Sequence, residues 1–562
     1  IILYMEMRLY MKENPYFLWQ TEPIKALPKF AESDCALVKN GSACAYIVAE
    51  PDAVSQNAAA EFSDAIEKMT GCRLPLQSFE NGIPVYLGAA AFKAAPGLKK
   101  IKGEFFSLFV SRNAVFAAGN DAEPFYGTDF SVTAMLEALG FGWFGPGKLW
   151  QVFPESGTAI LPAANFVSKP HFNSRRNRVL EQEPVLGKKW GLGGIKSEVE
   201  HKYGYFFPPD IYEKEHPEYY ALSRGTRSTR NKRWWELCLS NEEVQRSMAE
   251  KVCAFFREHP EWTGLSIGQN DGNGEPGSID YANWCECENC RKFAADFSGA
   301  VLRFSNKVAA LVHKEFPEHT LMFYGYFGTY KAPAEKCPEP ISPNLQLTLC
   351  KECGFTGKIR TDEACSDEQH PPFAEIFRKW KSQGIKHIAI YEWNCPGAAN
   401  PAWKEALWVQ GDVGTDNLKW FYENGVDFVY IDQGPNSSYE RVNKPFTVRW
   451  VQWYCTARSC YNTSIDFKDI ISDACKKLFG SAADKMLEFY SVLSEANAHC
   501  GYPHFNWGLP LVGEIYDNEY TRLAEEKLTE AEATESLTAE QTARIAEQRA
   551  EWEKTKKMAL IQ

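Results

Sequence analysis

The stretch that most constrains the fold is Leu265-Ser-Ile-Gly-Gln-Asn-Asp-Gly-Asn-Gly-Glu275, a short apolar run that ends abruptly in amides, carboxylates and glycines. A run with no polar face is typical of a strand in a parallel sheet that is covered on both sides. The glycines permit backbone conformations that other residues adopt only at a cost. The pattern predicts that Gln269, Asn270 and Asp271 lie at the carboxyl end of a buried strand, where barrel enzymes keep their chemistry. The alternative is a polar turn that Asp271 merely caps.

Short apolar runs alternate with helical stretches between about residue 166 and residue 446. Eight strand–helix units over about 270 residues are the expected size of a (β/α)8 barrel. Helical patterns at residues 240–258 and 300–316 separate some of these strands. The predicted strands are residues 176–180, 203–207, 219–222, 265–269, 321–326, 345–349, 387–391 and 428–431.

The two ends of the chain have different patterns from the centre. The amino-terminal part mixes strands with helices, which predicts a compact α+β domain, and the part after residue 447 is helical. The predicted fold class is therefore α/β, a TIM barrel between an α+β accessory domain and a helical region, with boundaries at residues 1–165, 166–446 and 447–562. In the first part, the predicted strands are residues 45–48, 84–88, 106–110 and 114–119, and the predicted helices are residues 55–69 and 125–139.

Composition limits the class of partner. The net charge of −12 supplies no basic excess to neutralise phosphates, which argues against nucleic acid or an anionic membrane surface. No run of about 18 apolar residues is present, so we expect no membrane insertion. Aromatic residues make up 14% of the chain, and their flat faces favour a carbohydrate partner, although ordinary core packing is the alternative.

Location and assembly are predicted from the two termini. The first residues are apolar but carry Glu6, with neither a basic start nor a small-residue cleavage site, which favours a cytoplasmic over a secreted protein. A clipped secreted protein stays open as the alternative. The charge-rich tail at residues 518–562 is typical of a solvated helix face, and it is also where a homo-oligomer interface could form.

Three predicted strands end in carboxylates in a similar way. Asp271 follows the fourth strand, Glu392 lies in Ala389-Ile-Tyr-Glu-Trp-Asn394, and Asp432 lies in Val429-Tyr-Ile-Asp-Gln-Gly434. The carboxyl ends of barrel strands meet at one mouth. Cleavage of a glycosidic bond needs one carboxyl group as an acid and another as a base or nucleophile. The pattern predicts that these three acids are catalytic, with structural hydrogen bonding as the alternative for at least one.

Five further residues are predicted to bind substrate. Arg175 could pair with a carboxylate, and Tyr326 and Trp393 could stack on sugar faces. Asn270 and Gln433 could hydrogen-bond to hydroxyl groups. Each has a structural alternative: an internal ion pair for Arg175, core packing for the two aromatic residues, and backbone hydrogen bonding for the two amides.

The 17 cysteines do not form an obvious disulfide framework, because most lie in apparent core segments. Cys285-x-Cys-x2-Cys290 and Cys350-x2-Cys353 could together build a structural zinc site, although the first spacing is uncommon for zinc. Disulfide pairs and free thiols are the alternatives. We expect no catalytic metal and no cofactor. Nucleotide-binding loops and the Gly-x-Ser-x-Gly hydrolase motif are absent from the sequence.

A family resemblance is carried by several motifs. Residues 127–147 resemble the end of the accessory domain that precedes the barrel in bacterial α-glucuronidases and β-hexosaminidases. His216-Pro-Glu-Tyr-Tyr-Ala-Leu222, Leu237-Cys-Leu-Ser-Asn241 and the Gln269-Asn-Asp271 stretch with its cysteines resemble a large bacterial family of domains of unknown function. That resemblance covers about residues 40–490. It implies a hexosaminidase-type accessory domain followed by a glycoside-hydrolase-like barrel.

The resemblance also implies roles for the acids. In an α-glucuronidase-like barrel the acid comes from a middle strand and the base from a late one, so Asp271 would be the general acid and Glu392 or Asp432 the base. Hexosaminidases of this architecture carry adjacent Asp-Glu where this chain has Asn270-Asp271, which puts their substrate-assisted mechanism in doubt, and Glu275 is a second candidate acid. We therefore expect a glycoside hydrolase acting on a polysaccharide or glycan. The alternatives are a non-catalytic glycan-binding barrel, a lyase, or a metal-dependent enzyme.

Overall fold

A computed structural model gives the architecture of the chain. All structural statements below refer to the residues that it describes. These are residues 14–21, 24–178, 180–195, 200–223, 225–227, 229, 235–271, 284–351, 357–361, 372–393, 401–432, 446–500 and 510–561.

The longer strands of the central sheet are rich in apolar residues and largely buried. Leu345–Lys351 is buried along its whole length, as expected of a strand covered on both faces. In chain order the strands are β1 Cys35–Lys39, β2 Ser42–Ala43, β3 Ala45–Ala49, β4 Ile83–Leu87, β5 Phe106–Val110, β6 Val115–Gly119, β7 Gly142–Trp143, β8 Gln151–Val152, β9 Ala159–Leu161, β10 Ala164–Ser168, β11 Ser174–Asn177, β12 Gly193–Gly194, β13 Gly264–Ser266, β14 Thr320–Gly325, β15 Leu345–Lys351, β16 His387–Trp393 and β17 Phe428–Asp432.

Helices form where apolar residues recur at helical spacing. In Glu242–Glu258 the apolar stripe of Val244, Met248 and Val252 is buried, and Asn241 caps the first turn. The α-helices are α1 Ala53–Thr70, α2 Ala89–Ala94, α3 Gly127–Ala138, α4 Pro184–Lys189, α5 Tyr203–Phe206, α6 Pro209–Tyr212, α7 Glu242–Glu258, α8 Glu288–Phe293, α9 Phe297–Val312, α10 Phe373–Ser382, α11 Asp412–Glu423, α12 Phe446–Tyr461, α13 Phe467–Phe479, α14 Ala483–His499, α15 Val512–Ile515, α16 Asn518–Glu532 and α17 Ala539–Ile561.

The amino-terminal region is built on a five-stranded mixed sheet with the order β10-β5-β6-β4-β3. β3, β4 and β6 run parallel, whereas β5 pairs antiparallel with β6 and with β10. The four strands and two helices predicted for this part of the chain are confirmed, with ends shifted by one or two residues. The sequence pattern located these elements because each has a continuous apolar run or an apolar stripe.

The central region is built on a seven-stranded sheet with the order β12-β11-β17-β16-β15-β14-β13. All neighbours in it pair in parallel except β12, which runs antiparallel to β11. The first predicted strand therefore lies beside the eighth, as a closed barrel requires, and six of the eight predicted strands are confirmed. A full barrel is not formed by the strands of the described residues.

The predicted second and third strands are wrong. Helix α5 covers most of residues 203–207, and a short 3-10 helix at Pro217–Tyr219 reaches into residues 219–222. In their place, single bridges pair His201 with Gly268 in parallel and Tyr220 with Leu237 in antiparallel. Aromatic residues suit a strand and a buried helical turn equally well, so the pattern of Tyr203–Phe206 could not separate the two.

The carboxyl-terminal helices share a core with the amino-terminal region. One buried cluster contains Trp19, Phe130 and Trp150 together with Trp450 and Tyr461, residues from opposite ends of the sequence. The predicted helical character of this region is confirmed. The boundaries at residues 165 and 446 stay predictions. Of the helices in the described ranges, none combines the length and the hydropathy that a membrane-spanning segment needs.

Candidate functional site

Four neighbouring parallel strands bring ionisable side chains to one edge of the central sheet. β15 ends at Lys351, β16 carries Glu392, β17 ends at Asp432, and Arg178 directly follows β11. The register pairs Lys351 with Glu392. It also pairs Trp393 with Asp432. Because parallel strands end on the same side of a sheet, these residues surround one candidate site at the carboxyl ends of the strands.

The two faces of the sheet separate these residues. Side chains alternate along a strand, so Glu392 shares a face with Ile388 and Ile390, which belong to the core between sheet and helices. Tyr391 and Trp393 point to the opposite face, and Asp432 shares that face with Tyr430. We call this second face the inner face. Asp432 therefore lies on the inner face, whereas Glu392 lies on the helix-packed face.

Asp432 has a defined polar environment. The Tyr391 hydroxyl donates a hydrogen bond to Asp432 Oδ2 over 3.1 Å, and Arg178 Nη1 lies 3.8 Å from the same oxygen. The Asp432 side chain is 1% exposed, and that of Arg178 is 31% exposed. A carboxylate so placed is held in one orientation by the phenol, and its negative charge is balanced by the guanidinium.

Glu392 is held differently. Its Oε1 lies 3.0 Å from Lys351 Nζ, and the two side chains are 5% and 0% exposed. The pair joins the ends of β15 and β16 on the helix-packed face. A buried ion pair fixes the relative position of two strands, and its charges are not offered to solvent. The predicted acid–base role of Glu392 stays a prediction.

Asp271 lies beyond the end of β13 and is open to solvent, with a half-exposed side chain. The Tyr326 hydroxyl donates to Asp271 Oδ1 over 3.1 Å. His201 Nε2 lies 3.7 Å from the same oxygen, and its Nδ1 hydrogen-bonds to the carbonyl of Gln269. Because a carbonyl only accepts, Nδ1 carries the proton of the neutral ring, and Nε2, the atom nearer Asp271, carries the lone pair.

The turn after β14 supports Asp271. Gln269 is buried, and its Nε2 donates to the carbonyl of Tyr324 and to the hydroxyl of Thr329. Phe327 has a φ of 47°, a left-handed conformation that is unusual for a bulky residue, and its ring lies 4.7 Å from that of Tyr326. Backbone strain of this kind is concentrated at binding and catalytic sites. Here the residue concerned directly follows Tyr326, the tyrosine that hydrogen-bonds to Asp271.

The inner face between the two aspartates is polar and aromatic. Tyr391 and Tyr430 are in contact with ring centroids 5.0 Å apart and planes tilted by 30°, and Arg176 lies over Tyr430 at 4.9 Å. Burial, chiefly, raises the pKa of Tyr324 well above its usual value, with Cys350 and Tyr430 among the nearby groups that raise it further. Tyr324 therefore stays a neutral hydrogen-bond donor at any physiological pH.

Two buried polar side chains on the inner face of β15 lack a protein partner. Within the described residues, neither the amide of Gln346 nor the hydroxyl of Thr348 has a hydrogen-bond partner, although both are at most 1% exposed. Orphaned polar groups of this kind are normally satisfied by ordered water or by a ligand. Both side chains lie along the buried length of β15, with Gln346 at its second residue, so we expect ordered water to satisfy them.

Arg175 has a structural role inside the protein. Its side chain is fully buried, and its Nη2 pairs with Glu104 at 2.6 Å. The remaining nitrogens donate to the carbonyls of Gly191 and Phe172. All three nitrogens are thus used inside the protein, joining β11 to the amino-terminal region. This is the internal ion pair that the sequence had left as the alternative to substrate binding.

The other predicted binding residues are distributed around the site. Tyr326 contacts Asp271 directly, and Trp393 is half-buried on the inner face beside Asp432. Asn270 donates through Nδ2 to the carbonyl of Trp235 at 2.5 Å, which is the backbone role left as its alternative. Gln433 and Glu275 lie outside the described residues.

Four functional candidates were missed from the sequence: His201, Tyr391, Arg178 and Lys351. His201 is a lone histidine in a polar stretch whose single bridge to Gly268 gives no strand pattern. Tyr391 is next to Glu392 in the sequence. Because side chains alternate along a strand, the two residues of β16 lie on opposite faces, and this alternation could have identified Tyr391. Lys351 continues the apolar run of β15, where a lysine calls for a buried partner.

A family model covers more than half of the chain. The family described as "Domain of unknown function (DUF4838)" matches residues 146–491, which include β11 to β17 and every candidate carboxylate. No curated protein matches the sequence.

Several solved glycoside hydrolases are similar to the chain at low identity. The N-acetyl-β-hexosaminidase of Streptomyces plicatus is 11% identical, with a TM-score of 0.41, 85% of this chain covered and 96% of that one. The family 20 β-N-acetylhexosaminidase of Streptomyces coelicolor A3(2) is 12% identical, with a TM-score of 0.42 and coverages of 84% and 96%. A family 89 glycoside hydrolase of Clostridium perfringens is 8% identical, with a TM-score of 0.46 and coverages of 88% and 61%. No residue role is transferred from these proteins.

Proposed function

Because the chain belongs to the DUF4838 family of domains of unknown function, its activity must be argued from its own site, and we propose that it is a glycoside hydrolase. The substrate is a polysaccharide or glycan, and the catalytic pair is Asp271 and Asp432. The observation that carries the proposal is that two aspartates, one solvent-open and one buried, lie at the carboxyl ends of strands of the same parallel sheet, each accepting a hydrogen bond from a tyrosine hydroxyl.

The environments of the two aspartates suit different roles. Asp271 is open to an incoming glycan, where a leaving-group oxygen can reach it, so we assign it the general acid that protonates that oxygen. Asp432 is buried, is oriented by the Tyr391 hydroxyl and lies 3.8 Å from Arg178, so we assign it the base or nucleophile. In this assignment Asp271 is the general acid, as expected from the resemblance, and Asp432 rather than Glu392 is the base or nucleophile.

The surroundings of the pair fit a sugar. Tyr326 and Trp393 present aromatic faces near the acids, and a pyranose packs its C–H faces on such rings. The finer assignment to an α-glucuronidase-like or hexosaminidase-like activity rests on the sequence resemblance alone. Glycans with uronic-acid or N-acetyl sugars distinguish these two activities.

We place the six parallel strands in a (β/α)8-type barrel whose second and third positions are irregular. The parallel bridge between His201 and Gly268 supports this, because it continues the sheet past β13 with the same strand direction. β11 beside β17 supports closure on the other side. In this arrangement His201 occupies a strand-end position like those of the two aspartates.

The test compares the wild-type protein with Asp271→Asn and Asp432→Asn on plant, mucin and algal glycans that include uronic-acid and N-acetyl sugars. We expect the wild type to release reducing ends. The rate of release should be about 100- to 10,000-fold lower in each variant, which is the usual size of an acid–base contribution. Asp210→Asn, at an exposed helix position, is the matched control and should keep full activity.

Thermal melting of each variant must match the wild type for the comparison to hold. A wild type that releases nothing from any glycan yet binds one, with the two variants binding equally well, would overturn the hydrolase and favour the glycan-binding barrel.

A further inference from the structure

Four cysteines meet at one point next to the candidate site. Cys238, Cys285, Cys287 and Cys290, which we call the cysteine cluster, have Sγ atoms that all lie within 4.8 Å of one another. Three of them are buried and Cys287 is half-buried. Cys238 comes from the segment before α7, whereas Cys287 caps α8 and Cys290 lies in its first turn. The fold therefore brings together thiols from two separate parts of the chain.

The sulfur spacing has the dimensions of a tetrahedral metal site. Cys238 Sγ lies 3.7 Å from that of Cys285, 3.7 Å from that of Cys290 and 3.8 Å from that of Cys287. A zinc–sulfur bond of about 2.3 Å gives tetrahedral ligands about 3.8 Å apart. A disulfide needs sulfurs at about 2.05 Å, so none of these three pairs is at bonding distance.

The surroundings of the sulfurs suit thiolates. The backbone N–H of Leu222 donates to Cys285 Sγ at 3.2 Å, and the N–H of Cys290 approaches Cys287 Sγ at 3.4 Å. Ser240 Oγ lies 3.1 Å from Cys290 Sγ. The Arg227 guanidinium lies beside Cys238 and Cys287. Four thiolates around a divalent ion carry a net charge of −2, and N–H donors with a nearby cation are what such a site needs for compensation.

We propose that the cysteine cluster binds one structural zinc ion through its four sulfurs. Four thiolates saturate a tetrahedral ion, which leaves no open position for catalysis. Soft thiolate ligands select zinc over magnesium or calcium. The sequence predicted that Cys285, Cys287 and Cys290 could form a zinc site together with Cys350 and Cys353. In the structure Cys238 is the fourth member of the cluster, and Cys350 is not part of it. Cys353 lies outside the described residues.

The zinc ion would fix the chain on both sides of Asp271. Asn270, directly before it, donates to the carbonyl of Trp235, three residues ahead of Cys238. Cys285, a member of the cluster, comes 14 residues after Asp271 in the sequence. Metal binding therefore ties together the two segments that flank the proposed acid. This positioning role rests on the proposed function, whereas metal binding itself does not.

The first measurement is the metal content of protein purified under reducing conditions without chelator. We expect about one zinc per chain in the wild type and in Cys72→Ser, a partly exposed thiol outside the cluster. Cys238→Ser and Cys287→Ser should each lose most of the zinc. A wild type without zinc in zinc-supplied medium, or one that holds iron, would overturn the proposal.

A second measurement needs no variant and so does not depend on a mutant that folds. Zinc in the wild type is replaced by Co²⁺, and the intense visible and near-ultraviolet absorption of tetrahedral cobalt thiolate is expected. Titration with a mercurial should release the metal as four thiols react. Absence of the thiolate bands, or an intact mass lower by two hydrogens per disulfide within the cluster, would contradict the site. Neither readout uses glycan hydrolysis, so failure of the proposed activity would leave this result unaffected.

Discussion

At the scale of single residues, the site turns on which face of a strand an acid occupies. Glu392 and Asp432 both end apolar runs, and the sequence gives them the same rank as catalytic candidates. The alternation of Tyr391, Glu392 and Trp393 assigns Glu392 to the helix-packed face and its neighbours to the inner face. The position of each acid along its strand was predictable. The partner of each acid was not, because Lys351, Arg178 and Tyr391 are brought there by strand register.

The buried pair of Lys351 and Glu392 predicts a large stability effect. Removing one charge leaves the other uncompensated in the interior, so Glu392→Gln should lower the free energy of unfolding by about 3–5 kcal/mol. Lys351→Met combined with Glu392→Leu should cost less than either single change, since no isolated charge remains. Denaturant unfolding measures each value.

The exposed pair of Lys379 and Glu375 serves as the control, and Glu375→Gln should change stability by less than about 0.5 kcal/mol. A Glu392→Gln protein that is as stable as the wild type but inactive on a glycan would instead favour the catalytic role predicted from sequence.

At the scale of elements, strands with continuous apolar runs were located to within a few residues, and short aromatic segments were not. β14, β15 and β17 are buried on both faces over nearly their whole length, and the short apolar runs in these strands indicated where they lie. Residues 203–207 contain aromatic residues at every position but one, and they form a helical turn because tertiary packing, not local preference, decides such a segment. The cysteine cluster depends on where these irregular segments lie, so its fourth member was missed.

The cap of α7 predicts a local effect on the same region. The Asn241 side chain accepts from the backbone N–H groups of Glu243 and Val244, and Asn241→Ala should lower stability by about 1 kcal/mol. Asn241→Asp keeps an accepting oxygen at this position and should restore most of the loss. Thermal or denaturant unfolding gives both values, and equal losses in the two variants would contradict the capping role.

At the scale of the whole molecule, the three predicted parts are physically interlocked. Arg458 of α12 pairs with Glu137 of α3 at 2.7 Å, and its guanidinium also lies over Trp19 at 4.6 Å. Ser168 and Tyr461 hydrogen-bond across the same junction. The sequence indicated the helical character of the last part. It could not indicate that the first and last parts share one core, because an apolar pattern shows which residues are buried but not which residues they pack against.

His171 connects β11 to the carboxyl-terminal helices and predicts a pH dependence of stability. Its Nδ1 accepts from the backbone N–H of Thr463, its ring stacks on Tyr422 at 4.1 Å, and burial lowers its pKa to about 4. The unfolded chain takes up a proton near pH 6.5 and the folded chain only near pH 4. Stability is therefore full above about pH 6.5 and falls by about 1–3 kcal/mol as the pH drops towards 4.

Unfolding free energies measured across this pH range should lose that component in His171→Gln. His259→Gln, at a position with 45% side-chain exposure, is the control and should keep the wild-type pH slope. An unchanged slope in His171→Gln would assign the pH dependence to other groups.

The core shared by the two ends of the chain also affects how the protein folds during synthesis, because its residues are made at very different times. Trp19 and Phe130 leave the ribosome early, but Trp450, Tyr461 and Trp552, which complete their packing, are made hundreds of residues later. At about 5–20 residues per second, the amino-terminal sheet waits on the order of tens of seconds for these partners. During that interval the surface of the amino-terminal region that later packs on the carboxyl-terminal helices has no partner. We therefore expect the nascent chain to bind a chaperone that recognises hydrophobic surfaces.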